Sequence, residues 1–335
     1  MTSAGAVEIE TVYGQDAQSG EWLNPLRLLL GLDSRQEMSP VLEEKLCFTA
    51  TLTGSYEQAA EVAGKWGVEV DKSTIHTHVQ LAGARASAKR QERVERALDP
   101  STRAEVVCEA GKECPPGEFS LVIMMDGWMV RERGPQWGLK PPERPGERVS
   151  WHETKSAIVF RVEQRAVSQS GRRMIVEKYY VSQRGGPDEL GREIYAEALR
   201  RGLNQAKRVF VVADGAVWIW NVVEDRFPQA VGVLDFYHAS EHLWAVAREM
   251  FKDDDEARAF VEPLLHSLNH GREARVLKTL ANLSGACAGL SEESRRMVDQ
   301  NVQYFDRHRE HMHYHRVAKQ GCPKGSGAME STCSQ

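Results

Sequence analysis

Two aspartates far apart in the chain stand where carboxylates could act together. Asp126 follows the apolar run 119–125, Asp214 follows the apolar run 209–212, and glycine comes directly after each. A single Asp-Gly pair is typical of a tight turn. Two such pairs at the ends of strands in one sheet would place their carboxylates side by side at its carboxyl edge. Because like charges repel, this arrangement calls for cations between them.

Glu330 is a candidate third carboxylate. It follows a glycine-rich loop, residues 321–327, in which Ser326 is a predicted helix N-cap. A glutamate in the first helical turn is favoured there, and the free amides of that turn can also meet phosphate. Two Mg²⁺ or Mn²⁺ ions bound by such oxygens can catalyse in-line phosphoryl transfer. The pattern predicts a two-metal site of Asp126, Asp214 and Glu330.

The elements that must position these residues are read from hydrophobic periodicity. Strand-like runs cover residues 119–125, 157–162, 174–181, 209–212 and 231–234. Helices are predicted at 189–203 and 217–223, a polar linker at 99–117, and nearly continuous helix from 240 to 319. These elements predict a mixed α+β fold, with a five-stranded mixed sheet, flanking helices and a long all-helical insertion.

The residues before the sheet predict a pair of short helices joined by a glycine turn. Ser39-Pro40 and Ser55 are helix-start signals, Gly67 ends the second helix, and Asp71 can cap a third. With Ile75 and Val79 buried, the third helix would point outward a polar set suited to a DNA major groove. This set comprises Lys72, Thr74, His76, Thr77, His78 and Gln80. Many helical bundles contain such a pair without touching DNA, so both interpretations stay open.

Composition bounds these interpretations. The chain has 335 residues, 41% hydrophobic and 27% charged, as expected of a folded protein of two or three domains. Neither a membrane-spanning run nor a signal pattern is found, which predicts a cytoplasmic protein. A net charge of −5 disfavours a protein that coats nucleic acid with a basic surface, so local clusters must bind any DNA. One cluster contains Arg85, Lys89 and Arg90, although a solvated helix would look the same.

With these motifs in view, the chain resembles the ribonuclease-H-like DDE transposases of bacterial insertion sequences, most closely the ISKra-type group, from about residue 39 onward. The likeness lies in Asp126, Asp214 and the stretches 151–155, 234–238 and 323–330. It implies two metal ions, cleavage and joining of DNA at terminal inverted repeats, a target DNA, an oligomer on DNA and a nucleoid-associated location. It also implies supporting roles for Asp235 and His238, which match an Asp-x-x-His signature.

The resemblance sets the predicted domain organisation. We expect a loosely ordered arm (1–37), a helix-turn-helix domain (38–105), a ribonuclease-H-like core (117–240), a helical insertion (241–318) and a return loop that starts the helix of Glu330 (319–335). Members of the group usually continue well beyond the glutamate, whereas this chain ends at Gln335. A truncated or inactive copy that only binds DNA is therefore one alternative, and a ribonuclease-H-like nuclease is another.

One further cluster invites interpretation. His308, His311, His313 and His315 follow Phe305, and metal binding is conceivable for the first two. We favour a partly exposed basic and aromatic helix face near DNA.

Overall fold

The computed structural model of the chain describes residues 8, 10, 12–29, 38–134, 148–171, 173–283 and 289–329. Contacts divide the chain into two compact units, residues 1–93 and 94–335, with the boundary inside one long helix. Within the described ranges, none of the helices combines the length and apolar character needed to cross a bilayer.

The first unit is helical apart from one small hairpin. The hairpin and a short helix lie where an irregular arm was predicted. The elements are β1 (Gly14–Gln15), β2 (Trp22–Leu23), α1 (Pro25–Leu29), α2 (Pro40–Leu52), α3 (Tyr56–Lys65) and α4 (Lys72–Leu98). A small core holds α2, α3 and the start of α4 together, and comprises Met38, Leu42, Leu46, Ala59, Ala63, Val68 and Ile75. Leu52, at the end of α2, is exposed.

Side-chain caps start these helices. The Ser39 hydroxyl accepts from the Leu42 amide at 3.3 Å, with Pro40 at the first helical position. The Ser55 hydroxyl accepts from the Gln58 amide at 3.2 Å, and the Asp71 carboxylate accepts from the Ser73 amide at 2.7 Å. Each cap satisfies an amide that has no partner within its helix, which explains why the start signals were readable in the sequence.

The second unit is built on a mixed five-stranded sheet preceded by helix α5 (Arg103–Glu113). Its strands are β3 (Ser120–Arg133), β4 (Val149–Arg161), β5 (Arg165–Val167), β6 (Arg173–Ile175), β7 (Tyr179–Gln183), β8 (Arg208–Ala213) and β9 (Val231–Leu234). The order in the main sheet is β7-β4-β3-β8-β9. β7, β4 and β3 are antiparallel neighbours, β8 and β9 run parallel to β3, and β5 and β6 form a separate small hairpin.

Helices cover both faces of this sheet. They are α6 (Pro187–Arg200), α7 (Val217–Arg226), α8 (Phe236–Met250), α9 (Asp254–Asn269), α10 (Glu273–Ala281), α11 (Glu292–Arg307) and α12 (Tyr314–Lys319). Because strand side chains alternate, Leu121 and Ile123 of β3 pack in one core with α5, α6 and α7. Val122 and Met124 face the opposite core, which α8 to α12 cover.

β3 and β4 are longer than the predicted runs 119–125 and 157–162, and two other predicted elements differ from the structure in kind. The expected polar linker at 99–117 contains α5, whose Val106 and Ala110 are buried. The single strand predicted over 174–181 is two short strands, β6 and β7, which belong to different sheets. The mixed α/β class, the five strands of the main sheet and the helical stretch after β9 are confirmed.

Candidate active site

Strand register brings Asp126 and Asp214 together. Parallel pairing sets Met124 of β3 opposite Val212 of β8, and each aspartate lies two residues further along its strand direction. Since side chains two apart share a face, both carboxylates lie on the side covered by α8 to α12. Both line one small cavity of about 210 Å³.

The sequence predicted Asp126 at the end of its strand, but the strand continues beyond it. β3 continues to Arg133 and stays paired with β4 as far as Arg133 opposite Val149. Only the parallel pairing with β8 ends, at Met124. The Asp-Gly pair forms no turn here because the antiparallel ladder with β4 continues to satisfy the backbone on that side. The carboxylate lies where β8 leaves the ladder and an edge opens.

Asp214 is held through its backbone and by its neighbours. Its side chain accepts from the Ala216 amide at 2.9 Å, and its carbonyl accepts from the Tyr304 hydroxyl at 2.5 Å. Gly215 follows with φ +99°, and a Cβ there would lie 2.9 Å from Nε2 of His308. The turn after β8 therefore requires glycine both for its backbone conformation and for its space.

Asp235 comes directly after β9 and lies on the far side of Asp214, because Leu234 pairs with Ala213. Oδ1 of Asp235 accepts from the amides of Tyr237 at 2.6 Å and His238 at 3.1 Å, which caps α8. Oδ2 accepts from the amide of Ser326 at 2.5 Å and from its hydroxyl. Asp235 is only 2% exposed. It joins the start of α8 to the loop near the end of the chain.

His238 and Glu241 complete the described cavity wall on α8. Nδ1 of His238 lies 3.1 Å from Oε2 of Glu241, and the His238 side chain is 40% exposed. Glu241 was not predicted from the sequence. Its spacing of three residues from His238, on a helix that Asp235 starts, was the available signal.

Glu330, the predicted third carboxylate, lies outside the described residues. The chain is described as far as Met329, which is fully buried in the core under α8. Ser326 does precede a helical stretch at 327–329, but its hydroxyl donates to Asp235. The side chain predicted as a helix cap thus makes a long-range contact with the start of α8.

The cavity suits a hard cation in its donor chemistry. The carboxylates of Asp126, Asp214 and Glu241 line it, and oxygen donors are the ligands that Mg²⁺ prefers. Among the residues that the structure describes, however, no group of three or more His, Cys, Asp or Glu side chains is arranged to hold a metal ion. Asp126 and Asp214 are thus the described part of the predicted ligand set.

The first unit contains the residues predicted to read DNA. On α4, Lys72, His76, Thr77 and Gln80 are exposed, and Thr74 is half-buried. Lys72 pairs with Glu57 at 3.2 Å, and His76 lies edge-on to Tyr56. Further along the same helix, Arg85, Lys89 and Arg90 are exposed. All of these side chains lie along one helix of 27 residues.

The sequence predicted that His78 points outward, but its side chain points towards α2. Its Nδ1 lies 2.9 Å from Oε1 of Glu43, while Arg85 donates to the other oxygen at 2.8 Å. Burial alone would raise the pKa of Glu43, but the hydrogen bonds from His78 and Arg85 outweigh it and lower this pKa. His78 and Arg85 thus join α4 to α2, because an unpaired carboxylate could not be buried there.

No model of a known protein family matches the chain, and neither does any curated protein. The function is therefore inferred from the geometry of the site.

The histidine cluster lies inside the second unit. His308 is 7% exposed and follows α11, and the His311 ring stacks on Trp220 with centroids 4.0 Å apart. Burial, reinforced by His311 and Arg307, lowers the pKa of His308 to about 4. The predicted exposed basic face is wrong for these two residues, which are neutral members of an aromatic cluster beneath Asp214.

Proposed function

We propose that the protein is a DDE-type transposase of an insertion sequence, which binds transposon ends and cleaves and joins DNA strands with two Mg²⁺ or Mn²⁺ ions. The observation that carries the proposal is the pair Asp126 and Asp214, one on β3 and one directly after the adjacent parallel strand β8, on one face and in one cavity. Two carboxylates so placed repel each other unless cations lie between them.

The sheet supports the same proposal. In chain order, the strands of the main sheet are arranged 3-2-1-4-5, with the second antiparallel to its neighbours and the last two parallel to the first. A ribonuclease-H-like core has this arrangement, with its carboxylates on the first and fourth strands. Asp126 is on the first and Asp214 directly follows the fourth.

Each residue of the site has a separate role in this proposal. Bound ions would neutralise the phosphate and activate a water or a 3′-hydroxyl as nucleophile. Asp126 and Asp214, with Glu330 as the third ligand, would hold them. Tyr304 fixes the backbone of Asp214, and His238 lies at the cavity wall, where it can contact DNA. A rigid sheet suits this task because phosphoryl transfer depends mostly on positioning and charge stabilisation.

The first unit supplies end recognition in this proposal. α3, the turn at Gly67 and α4 would act as a helix-turn-helix, an assignment supported by the shared core of Ala59, Ala63 and Ile75. Lys72, His76, Thr77 and Gln80 would face the terminal repeats, and Lys89 and Arg90 would contact phosphates. Assembly of several copies on the two ends and nucleoid association belong to the same proposal.

The test uses Asp126→Asn and Asp214→Asn, which remove one charge each with little change of shape. We expect cleavage of duplex DNA from the regions flanking the gene, in Mg²⁺ or Mn²⁺, to fall by at least about 10²-fold. Binding of the same DNA should be unchanged, because the altered residues lie outside the first unit. Asp299→Asn, at an exposed position of α11, is the matched control and should cleave like wild type.

The outcomes separate the alternatives. Wild-type cleavage by both variants would overturn the assignment of the site. Cleavage without joining of the strands would indicate a ribonuclease-H-like nuclease instead. A wild-type chain that binds flanking DNA, cleaves none and gains no thermal stability from Mg²⁺ would be a DNA-binding remnant.

A further inference from the structure

Hydrogen bonds within the protein occupy the acceptor sites of the Asp235 carboxylate. Two carboxylate oxygens offer about four lone-pair sites. Four donors occupy them, namely the amides of Tyr237, His238 and Ser326 and the Ser326 hydroxyl. With 2% of the residue exposed, a cation would have to displace a hydrogen bond to bind. A phosphate would be repelled by the negative charge.

The partners of Asp235 belong to two segments 91 residues apart in sequence. One is the start of α8, and the other is the return loop, defined here as residues 321–329. The same two segments meet again beside this contact, where the Phe236 amide donates to the Lys324 carbonyl at 2.9 Å. At Gly325 a Cβ would lie 2.5 Å from the Tyr237 ring, so the loop backbone rests directly on that ring.

Other contacts hold the return loop further from the cavity. Arg165 donates to the Gly321 carbonyl, and Lys324 donates to the Asn269 side chain at 2.7 Å. Ser326 is the residue of this loop that lines the acidic cavity with Asp126 and Asp214, and Asp235 is its partner there. Three residues later, Met329 is anchored in the core.

We propose that Asp235 is a positioning residue, whose carboxylate clamps Ser326 of the return loop to the start of α8 and thereby sets the path of the chain into Glu330. It binds neither metal nor DNA. This inference rests on the proposed function, in which Glu330 is the third metal ligand. It gives the Asp-x-x-His pattern a structural task in the site, since the aspartate holds Ser326 in the loop that precedes Glu330 in the chain.

Asp235→Asn and Ser326→Ala test the clamp from its two sides. In Asp235→Asn, an amide that replaces Oδ2 would present hydrogens to the Ser326 donors, while Oδ1 can still cap α8. We expect both variants to lower kcat for cleavage by about 10- to 100-fold and to raise the Mg²⁺ concentration for half-maximal cleavage. The double variant should be no worse than Asp235→Asn alone, because Ser326→Ala removes only the hydroxyl donor, which Asp235→Asn already displaces.

Asp253→Asn is the matched control. Asp253 caps α9 through the amides of Asp255 and Glu256, as Asp235 caps α8, but its described contacts include none to the return loop. It should leave cleavage and its Mg²⁺ dependence unchanged. If Ser326→Ala cleaves like wild type while Asp235→Asn is inactive, Asp235 acts directly on metal or substrate and the inference is overturned.

Hydrogen exchange gives a readout that needs no catalysis. Backbone amides in a peptide spanning 322–329 should exchange faster in Asp235→Asn and Ser326→Ala than in wild type or Asp253→Asn. Unchanged exchange in both clamp variants would overturn the clamp, whatever the activity. If the two clamp variants exchange faster than wild type but the wild-type protein cleaves no DNA, the clamp is supported and the proposed function is rejected.

Discussion

His308 illustrates how a single side chain can be misjudged from composition. Four histidines within eight residues suggest a basic surface. In the structure, the His308 ring lies edge-on to Tyr304 with centroids 4.8 Å apart, and its Nε2 closes over Gly215. Burial keeps the imidazole neutral, and the same cluster supports the Tyr304 hydroxyl that holds the Asp214 carbonyl. The residue contributes to the site through packing.

The lowered pKa of His308 predicts a loss of stability in mild acid. An unfolded chain protonates this histidine near pH 6.5, whereas the folded protein does so near pH 4. Between these values the unfolded state binds more protons, so the stabilisation is complete above pH 6.5 and is lost as the pH falls towards 4. From pH 7 to pH 4.5 we expect this residue alone to cost about 2 kcal/mol of unfolding free energy.

Urea unfolding of wild type and His308→Gln at both pH values measures this effect. Glutamine stays neutral throughout, so the acid-induced loss should be smaller in the variant by about 2 kcal/mol. Carboxylates contribute equally to both proteins and cancel in the comparison. An identical pH dependence in the two proteins would mean that His308 has the same pKa in the folded and unfolded states.

At the scale of elements, the sequence was most informative where apolar runs were isolated. β9 begins and ends where it was predicted, at Val231 and Leu234, because a buried parallel strand is apolar throughout. α5 was missed because only Val106 and Ala110 of its eleven residues are buried, too few to make a visible stripe. β6 and β7 were merged because their composition is similar while their partners differ.

The candidate site shows the same limit. Asp126 and Asp214 could be found because each follows an apolar run, and strand pairing does the rest. The contact between Asp235 and Ser326 could not be predicted from the sequence, since no pattern around either residue indicates a partner 91 residues away. Glu241 was missed for a related reason: on an exposed helix face a glutamate is ordinary until its neighbours across the cavity are known.

α4 carries the prediction for DNA binding at this scale. If Lys89 contacts a phosphate, Lys89→Ala should weaken binding of any duplex, and the slope of log K against log salt should become shallower by about 0.9. Fluorescence anisotropy with a labelled duplex of unrelated sequence, between 50 and 200 mM NaCl, measures this slope. Lys112→Ala on α5 removes the same charge elsewhere and should leave it unchanged; equal slopes for Lys89→Ala and wild type would exclude the contact.

At the scale of the whole molecule, the two units each have their own hydrophobic core. Among the residues described in the first unit, seven buried ones form its core, Leu42 and Leu46 included. The second has a core on each face of its sheet, with Phe210 and Val211 of β8 on opposite sides. A small core gives little stability beyond the entropy cost of folding, so the first unit should be the less stable one.

Calorimetry should therefore resolve two unfolding transitions. Leu46→Ala should lower the first midpoint and leave the second in place, because truncating a buried leucine costs about 2 to 5 kcal/mol in the unit that contains it. Phe210→Ala should do the reverse. A single transition that both substitutions shift together would mean that the units unfold as one, coupled through the continuous helix α4.

The pairing of β3 with β8 also limits how this region can change in length. Inserting one residue between Val122 and Asp126 would turn the carboxylate towards α6 and α7, on the side away from the cavity. Inserting two would return it to the right side but about 7 Å too far along. The strand should therefore tolerate the substitution of one apolar residue by another far better than an insertion or deletion before Asp126.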